Sequence, residues 1–372
     1  MKRFDVQVLG AGVVGHALAL SLARHGLRVA LQPRRDGAAA TQDVRAYALN
    51  ASSVELLRSL KVWDALGLHA ATPVLDMRVR GDAHDSRIDF SAWQQRAEAL
   101  AWITDAAVLE RELAAAVRFA PHVTLTDARD DAALLALCDG SESAERAQRG
   151  VSFERVGYGQ SAVAARLVCS TAHQGVAHQW FRSPDVLALL PFDAPEPGRS
   201  YALVWSVPNA RADEVLAMTD AAFEAALAEA IGADGAAVGK LSLASPRAAW
   251  PLSLARAGAW CGPGWVLLGD AAHVVHPLAG QGLNLGLADV ATLTRVIHER
   301  EAWRDLGDEK LLRRYERSRL APTLAMGQVT DGLLRLFSET SPAARELRNR
   351  GLTLANRLSP LKRWLTSRAL DA

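Results

Sequence analysis

Trp265-Val266-Leu267-Leu268-Gly269-Asp270-Ala271-Ala272-His273, running on into His276-Pro277-Leu278-Ala279-Gly280-Gln281-Gly282-Leu283-Asn284-Leu285-Gly286, is the stretch that decides the reading of this chain. Its first half is an apolar run that ends on one carboxylate. Its second half is broken by glycine until helix-forming residues begin near Leu283. This order predicts a buried strand that carries Asp270 at its carboxyl end, then a loop and a helix start whose backbone N–H groups aim at one ligand. The pattern is that of a cofactor site.

A complementary pattern stands at the other end of the chain. Phe4-Asp5-Val6-Gln7-Val8-Leu9 leads into Gly10-Ala11-Gly12-Val13-Val14-Gly15 and then the apolar positions Leu18, Leu20, Leu22 and Ala23. Strand, glycine turn and helix in this order form a dinucleotide fingerprint. Gly10 serves the turn, Gly12 lets a pyrophosphate approach the backbone at Val13 and Val14, and Gly15 lets the helix pack on the strand. A second strand is expected over Leu27–Leu31. Lys2 and Arg3 before an apolar run also suit a secretory leader, but Asp5, Gln7, His16, Ser21 and the glycines interrupt it and no small-residue cleavage site follows.

Composition narrows the class. With 372 residues, half of them hydrophobic, the chain can bury a large core and is expected to form two domains. A net charge of +1 supplies no field for nucleic acid or an anionic membrane. No uninterrupted apolar stretch reaches the length of a membrane span. Cys138, Cys169 and Cys261 are odd in number and far apart, which suits structural thiols in a reducing cytosol and no metal site.

Between the two motifs the pattern predicts a helix over 51–66 and short strands at 76–80 and 87–90 joined by Gly81-Asp82-Ala83-His84-Asp85. A helix over 108–119 carries Leu109, Leu113 and Val117 on one face, and a strand follows at 123–126. The stretch 127–150, rich in alanine and charge, shows no clear period. Strands are expected at 160–171, 186–191 and 201–208, a helix at 213–230, and a helical block from 311 to 370.

The long motif from Gly269-Asp270 to Asp289 resembles the class A flavoprotein hydroxylases, and among them the hydroxylases of ubiquinone biosynthesis. Arg45-Ala46-Tyr47-Ala48-Leu49-Asn50, Trp250-Pro251-Leu252, Tyr315-Glu316-Arg317 and Thr330-Asp331-Gly332-Leu333 carry the same likeness. The resemblance implies an α/β fold. A Rossmann-like FAD-binding domain built on the GxGxxG turn and a parallel sheet, from residues 1–75, 99–150 and 256–320, is interleaved with a mostly antiparallel substrate-binding sheet domain. The latter comprises 76–98 and 151–255, and helices over 321–372 complete the chain.

Roles follow by position. Asp270, after Gly269, is expected on the ribityl or ribose hydroxyls of FAD, and Arg45 near the flavin or pyrophosphate. Pro277 to Asn284, with Gly280, Gln281, Gly282 and Leu283, is expected to cradle the isoalloxazine ring. A helix start there stabilises the negative charge of reduced flavin by about 0.3–2 kcal/mol. The implied reaction is hydroxylation of an aromatic ring, with NAD(P)H as reductant, O2 as co-substrate and a flavin C4a-hydroperoxide as the oxidising species. The oxidising chemistry belongs to the cofactor, so no protein nucleophile is expected. His276 and Pro277 in the flavin loop are the nearest to catalytic candidates, and His273 and His276 are read first as positioning that loop.

The chain departs from the family in three places. Gln32 follows Leu31 where an acidic residue usually meets the adenosine ribose. Loss of charge assistance there, at about 1–2 kcal/mol, weakens FAD binding roughly five- to thirtyfold. Ala106 and Ala107 stand where a flavin-contacting arginine is expected, with Arg111 a turn later. Cys138-Asp139-Gly140 keeps only the Asp-Gly of a second fingerprint, either as a contact to cofactor or as an ordinary turn. Arg34 and Arg35 allow another reading, a 2′-phosphate site for NADP. Two further functions stand beside the hydroxylase: an accessory paralogue acting by protein association, and a flavin monooxygenase for another small aromatic. The aromatic substrate, if polyprenylated, places a cytoplasmic enzyme at the periphery of the inner membrane, with Leu358 to Leu370 either an interfacial helix or a helix packed on the enzyme or on a partner. Self-association or membership of a biosynthetic complex is left open.

Overall fold

Three sheets organise the chain, and a computed structural model describes residues 4–33, 43–81, 86–275 and 281–338 of it. The first sheet has six strands, in the order Cys261–Gly262, Trp265–Leu267, Ala132–Leu137, Phe4–Leu9, Val29–Gln32 and Val123–Leu125. All neighbours are parallel except the hairpin at 261–267. Helices Val13–Arg24, Ala106–Arg118 and Gln281–His298 bury Leu18, Leu22, Leu109, Leu113, Val290 and Leu293 in the core shared with this sheet.

Ala132–Leu137 lies inside the stretch whose period is unreadable. It sits between two parallel neighbours, and Leu134 to Leu137 are all buried. A parallel strand covered on both faces shows a continuous apolar run in place of alternation.

The second sheet runs His273–Val274, Ala248–Ala257, Phe153–Cys169, Ser200–Pro208, Asp185–Phe192, Val176–Arg182, Asp76–Arg80 and Arg87–Ser91, with Leu241–Leu243 also paired to Phe153–Cys169. Its pairs are antiparallel apart from 176–182 with 76–80. One face is sealed by helices Asn209–Ala217 and Asp220–Ile231, which pack Ala212, Val215, Phe223 and Leu227 against Trp180, Leu203 and Trp205. By strand alternation the other face carries Ala162, Ala164, Arg166, Ala188, Ala202, Val204, Ala248 and Trp250. Near one end of that face packs the third sheet, Ala46–Leu49, Ala101–Asp105 and Ala71–Val74, through Val74 and Ile103 against Ala177, Phe192 and Ala202.

Several boundaries differ from expectation. The helix over 51–66 ends at Ser59, because Lys61 adopts a left-handed φ of 63° while its N–H bonds to Arg58 and that of Val62 to Leu57. The helix over 213–230 is two helices, split at Met218 where Thr219 caps the second through Ala222 N–H. Strands Val176–Arg182 and Ala248–Ala257 were not anticipated, and the strand expected from Gln160 begins at Phe153. The turn at 82–85 and the segment Leu358 to Leu370 lie outside the described residues.

Lys61 is exposed, and a β-carbon in that conformation is strained. Lys61→Gly is therefore expected to stabilise the protein by about 0.5–1 kcal/mol. A denaturant midpoint that stays put or falls would remove that argument.

Candidate functional site

The glycine turn after the first strand is closed by sterics that leave one face empty. Gly10 has φ +96°, and a β-carbon there would come 2.3 Å from the Cys138 carbonyl oxygen. A β-carbon on Gly15 would lie 1.8 Å from the Gly10 carbonyl oxygen. Gly12 is the exception, with nothing among the described residues within 4 Å of such an atom. It is also the N-cap of Val13–Arg24 and brings no side-chain cap, so the first-turn N–H groups of Val13, Val14 and Gly15 face that space without helical carbonyl partners. His16 is buried under the turn with Nδ1 3.1 Å from the Gly12 carbonyl.

The turn at Gly269-Asp270 packs directly on this helix start. A β-carbon on Gly269 would sit 3.2 Å from Val14 Cγ2, and one on Gly286 2.7 Å from the same atom. The two sequence motifs, more than 250 positions apart, thus meet at Val14. Asp270 leaves the strand Trp265–Leu267 in a short 3-10 turn, and its side chain is open to the cleft. Protein nonetheless surrounds it closely, and this desolvation pushes its carboxyl up from the ordinary value of 3.8; Asp289 adds to the rise, while His273 and Arg45 oppose it.

Asp139-Gly140 lies against the same turn, with Asp139 Cα 2.8 Å from a β-carbon built on Gly10. Asp139 Oδ1 is buried without a hydrogen-bond partner among the described residues. Arg146 fastens this loop to the other motif by donating from Nη2 to Ser141 O at 2.7 Å and from Nη1 to Ala271 O at 2.9 Å. An open space before an uncapped helix end, flanked by an orphaned acceptor and by Asp270, fits the phosphates and hydroxyls of a dinucleotide.

Arg45 connects the cofactor turn to the second sheet. Its guanidinium lies 5.7 Å from the centre of the Trp250 ring and 5.9 Å from that of Tyr47. Asp43 accepts from its Nε at 2.9 Å and from Nη2 at 2.6 Å, bonds that hold Arg45 protonated and bring Asp43 below its usual range against the effect of burial. Glu110 shares this pocket of charge, and burial pushes its carboxyl up although Arg45 opposes the shift. Arg111, a turn after Ala106 and Ala107, is exposed and paired with its neighbour Glu112 at 3.0 Å. Arg166 reaches this region from the sheet, donating to the Arg45 carbonyl at 2.7 Å and to Asp105 at 3.2 Å.

Other expected contacts are partly engaged by protein. Gln32 accepts from Gln7 Nε2 at 3.2 Å and donates to Asp127 O at 3.3 Å. Asn284 is buried; its Oδ1 accepts from Asn50 N–H at 3.0 Å and Ser53 Oγ at 2.8 Å, and its Nδ2 donates to Ala48 O at 2.8 Å. It thereby ties the helix Gln281–His298, where Gln281, Gly282 and Leu283 form the first turn, to the segment after Arg45. His276, Pro277 and Gly280, and the alternative Arg34 and Arg35, lie outside the described residues.

Beneath the turn is a network that the sequence reading missed. Asp289 is fully buried; its Oδ2 accepts from Gly269 N–H at 2.9 Å and lies 2.7 Å from His273 Nε2, and its Oδ1 accepts from Arg319 Nε at 2.7 Å. Burial alone would raise this carboxyl, but His273 and Arg319 hold it below the ordinary range. The signal was present: Asp289 is the only acid between Leu283 and Ile297. Arg166 is likewise the only charge between Gln160 and Cys169.

Comparison with known proteins agrees with this geometry. The model of a family described as FAD binding domain matches residues 3–329. Ubiquinone hydroxylase UbiL of Rhodospirillum rubrum is 31% identical over 99% of this chain and 90% of its own length. The 3-demethoxyubiquinol 3-hydroxylase of Escherichia coli is 31% identical, covering 98% of each. The crystal structure of p-nitrophenol 4-monooxygenase PnpA from Pseudomonas putida superposes with a TM-score of 0.77 at 18% identity, over 100% of this chain and 99% of that one, and shares the fold. Among the described residues no helix is long and apolar enough to cross a membrane.

Proposed function

This chain belongs to the FAD binding domain family and is an FAD-dependent monooxygenase, and we propose that it hydroxylates an electron-rich aromatic ring of the ubiquinol type. The observation that carries the reading is Arg45, whose guanidinium lies 5.7 Å from the centre of the Trp250 ring on the second sheet and whose charge acts on the Asp270 carboxyl. Cofactor and substrate faces therefore meet at one place.

Bound FAD, once reduced by NAD(P)H, supplies the activation of O2 that no side chain offers. The protein contributes position. Val13, Val14 and Gly15 receive the pyrophosphate at the helix start, Asp270 takes a ribityl or ribose hydroxyl, and Asp139 takes a further hydroxyl. Ala164, Ala188 and Ala248 are small side chains on the sheet face that would take the ring, and Trp250 on the same face would offer it a flat apolar wall. Arg45 would provide a fixed positive charge beside the ring hydroxyl, favouring its ionised form, in which the ring is the better nucleophile. The sheet face and the alanines also keep water from the reacting atoms.

The names of the two bacterial relatives support a ubiquinol-type ring as substrate. A polyprenyl tail on that ring would bring the enzyme to a membrane surface. The purified protein is expected to show a flavin spectrum, oxidise NAD(P)H and yield a hydroxylated product with polyprenylated methoxyphenols. A flavin-loaded protein that hydroxylates none of them would remove this reading.

A further inference from the structure

Asp289 is a fully buried carboxylate that accepts from the Gly269 N–H. A charge so placed is costly unless paired, and apolar residues of similar size commonly hold helices together as well or better. Helix packing alone therefore does not account for it. What sets it apart is the identity of the donor: Gly269, in a left-handed conformation with φ +58°, immediately before Asp270.

The helix that carries Asp289 holds the turn in two ways. Asp289 takes the Gly269 N–H, and Gly286, one turn earlier, lets Val14 pack close to Gly269. Asp289 is in turn held by Arg319 from the helix Glu309–Ser338, whose Nη2 also donates to Leu285 O at 3.3 Å. The other groups around Asp289 among the described residues are His273, tilted against Trp260 with ring centres 4.9 Å apart, the uncharged Cys138 and Tyr315, and Asp270 as a like charge. Arg319 is the one permanent cation bonded to Asp289 among the described residues.

We propose that Arg319 and Asp289 are a positioning pair that sets the cofactor turn, so that the helix Glu309–Ser338 fixes where Asp270 meets the ribityl or ribose hydroxyls of FAD. The proposal rests on the assignment of Asp270 and Val13 to Gly15 to FAD. Without Arg319 the carboxylate retains, among the described residues, His273 and the Gly269 N–H as partners. Asp289 then re-aims and the Gly269 peptide turns with it.

The test compares four variants of the full chain: Arg319→Met, Arg319→Lys, Asp289→Asn and Tyr315→Phe. Tyr315 is the control, because its hydroxyl donates to Leu267 O at 2.9 Å from the same helix and does not touch Gly269. FAD affinity of the apo-protein is read by flavin fluorescence, the bound flavin by its absorption bands, and apo-protein stability by Tm. Arg319→Met is expected to weaken FAD binding about tenfold and to shift the flavin bands, with Arg319→Lys restoring most of both. Tyr315→Phe is expected to lower Tm with FAD affinity within about twofold of wild type. Arg319→Met with wild-type affinity and bands, or Tyr315→Phe weakening FAD as much, overturns the proposal. Should Arg319→Met fail to fold, Asp289→Asn, which keeps the size and an acceptor for Gly269, decides on the same two outcomes. Wild-type protein that binds no FAD would instead remove the assignment of the site.

Discussion

Gly15→Ala is expected to yield a protein that purifies without flavin and melts far below wild type. The added methyl would stand 1.8 Å from the Gly10 carbonyl oxygen and 3.0 Å from its carbon. Both are backbone atoms, held by the strand Phe4–Leu9 and by Gly10 N–H donating to Gln32 O at 2.9 Å, so no rotamer change relieves the clash. The helix must lift from the strand, at a cost of about 3 kcal/mol or more. For a domain of this size that lowers Tm by on the order of 10 °C. Lifting also moves the N–H groups of Val13 and Val14 away from the pyrophosphate. Gly12→Ala separates the two effects. Its methyl meets nothing in the apo-protein but fills the space a phosphate needs, so Tm should hold while FAD affinity falls. Thermal melts and FAD titrations of both variants check this, and Gly15→Ala binding FAD like wild type would refute the assignment of the turn.

The second large effect is at Asp270. Replacing it with alanine removes a charged acceptor worth about 1.5–3 kcal/mol to a hydroxyl, and FAD affinity should fall roughly ten- to 150-fold. Its carboxyl is raised above 3.8, chiefly by desolvation. The folded apo-protein therefore binds this proton more tightly than the unfolded chain. The stability Asp270 contributes is fully present below pH 3.8 and is lost as pH rises through the raised value. FAD affinity runs the other way, improving over the same window as the better acceptor, the carboxylate, forms. Asp270→Asn should flatten both profiles, and an FAD affinity with the same pH dependence in Asp270→Asn would exclude Asp270 as its source.

What could be read from the chain was whatever neighbouring residues state together. Phe4 to Gly15 declares a strand, a turn and a helix within a dozen positions, and Gly269-Asp270 does the same at the far end; both are found as expected. Leu109, Leu113 and Val117 likewise form the buried face of their helix. Elements whose pattern depends on distant partners were not legible. Ala132–Leu137 loses alternation because helices and sheet cover both of its faces, and Ala248–Ala257 is interrupted by Pro251. The single helix expected over 213–230 hides a cap at Thr219 that only the chain's bend explains.

The site shows the same division. Glycines and Asp270 announce themselves by spacing, but Arg146, Arg166 and Arg319 act on atoms 125, 121 and 30 positions away, so no local window contains their meaning. Gln32 shows how a substitution is absorbed: its amide joins Gln7 Nε2 and the Asp127 carbonyl, two partners invisible in the neighbourhood of Leu31.

The bond from the Asn50 N–H to Asn284 Oδ1 closes a loop of 234 residues. On the ribosome, residues 48–53 emerge without the side chain that ties them down, and the strand Phe4–Leu9 waits for Ala132–Leu137 and then Trp265–Leu267 to complete its sheet. At about 5–20 residues per second, that interval is on the order of ten to fifty seconds. The nucleotide turn is made first and finished more than 250 residues later, so the nascent chain holds an incomplete sheet edge until Trp265–Leu267 emerges, and cofactor capture waits for Asp270 and the helix Gln281–His298.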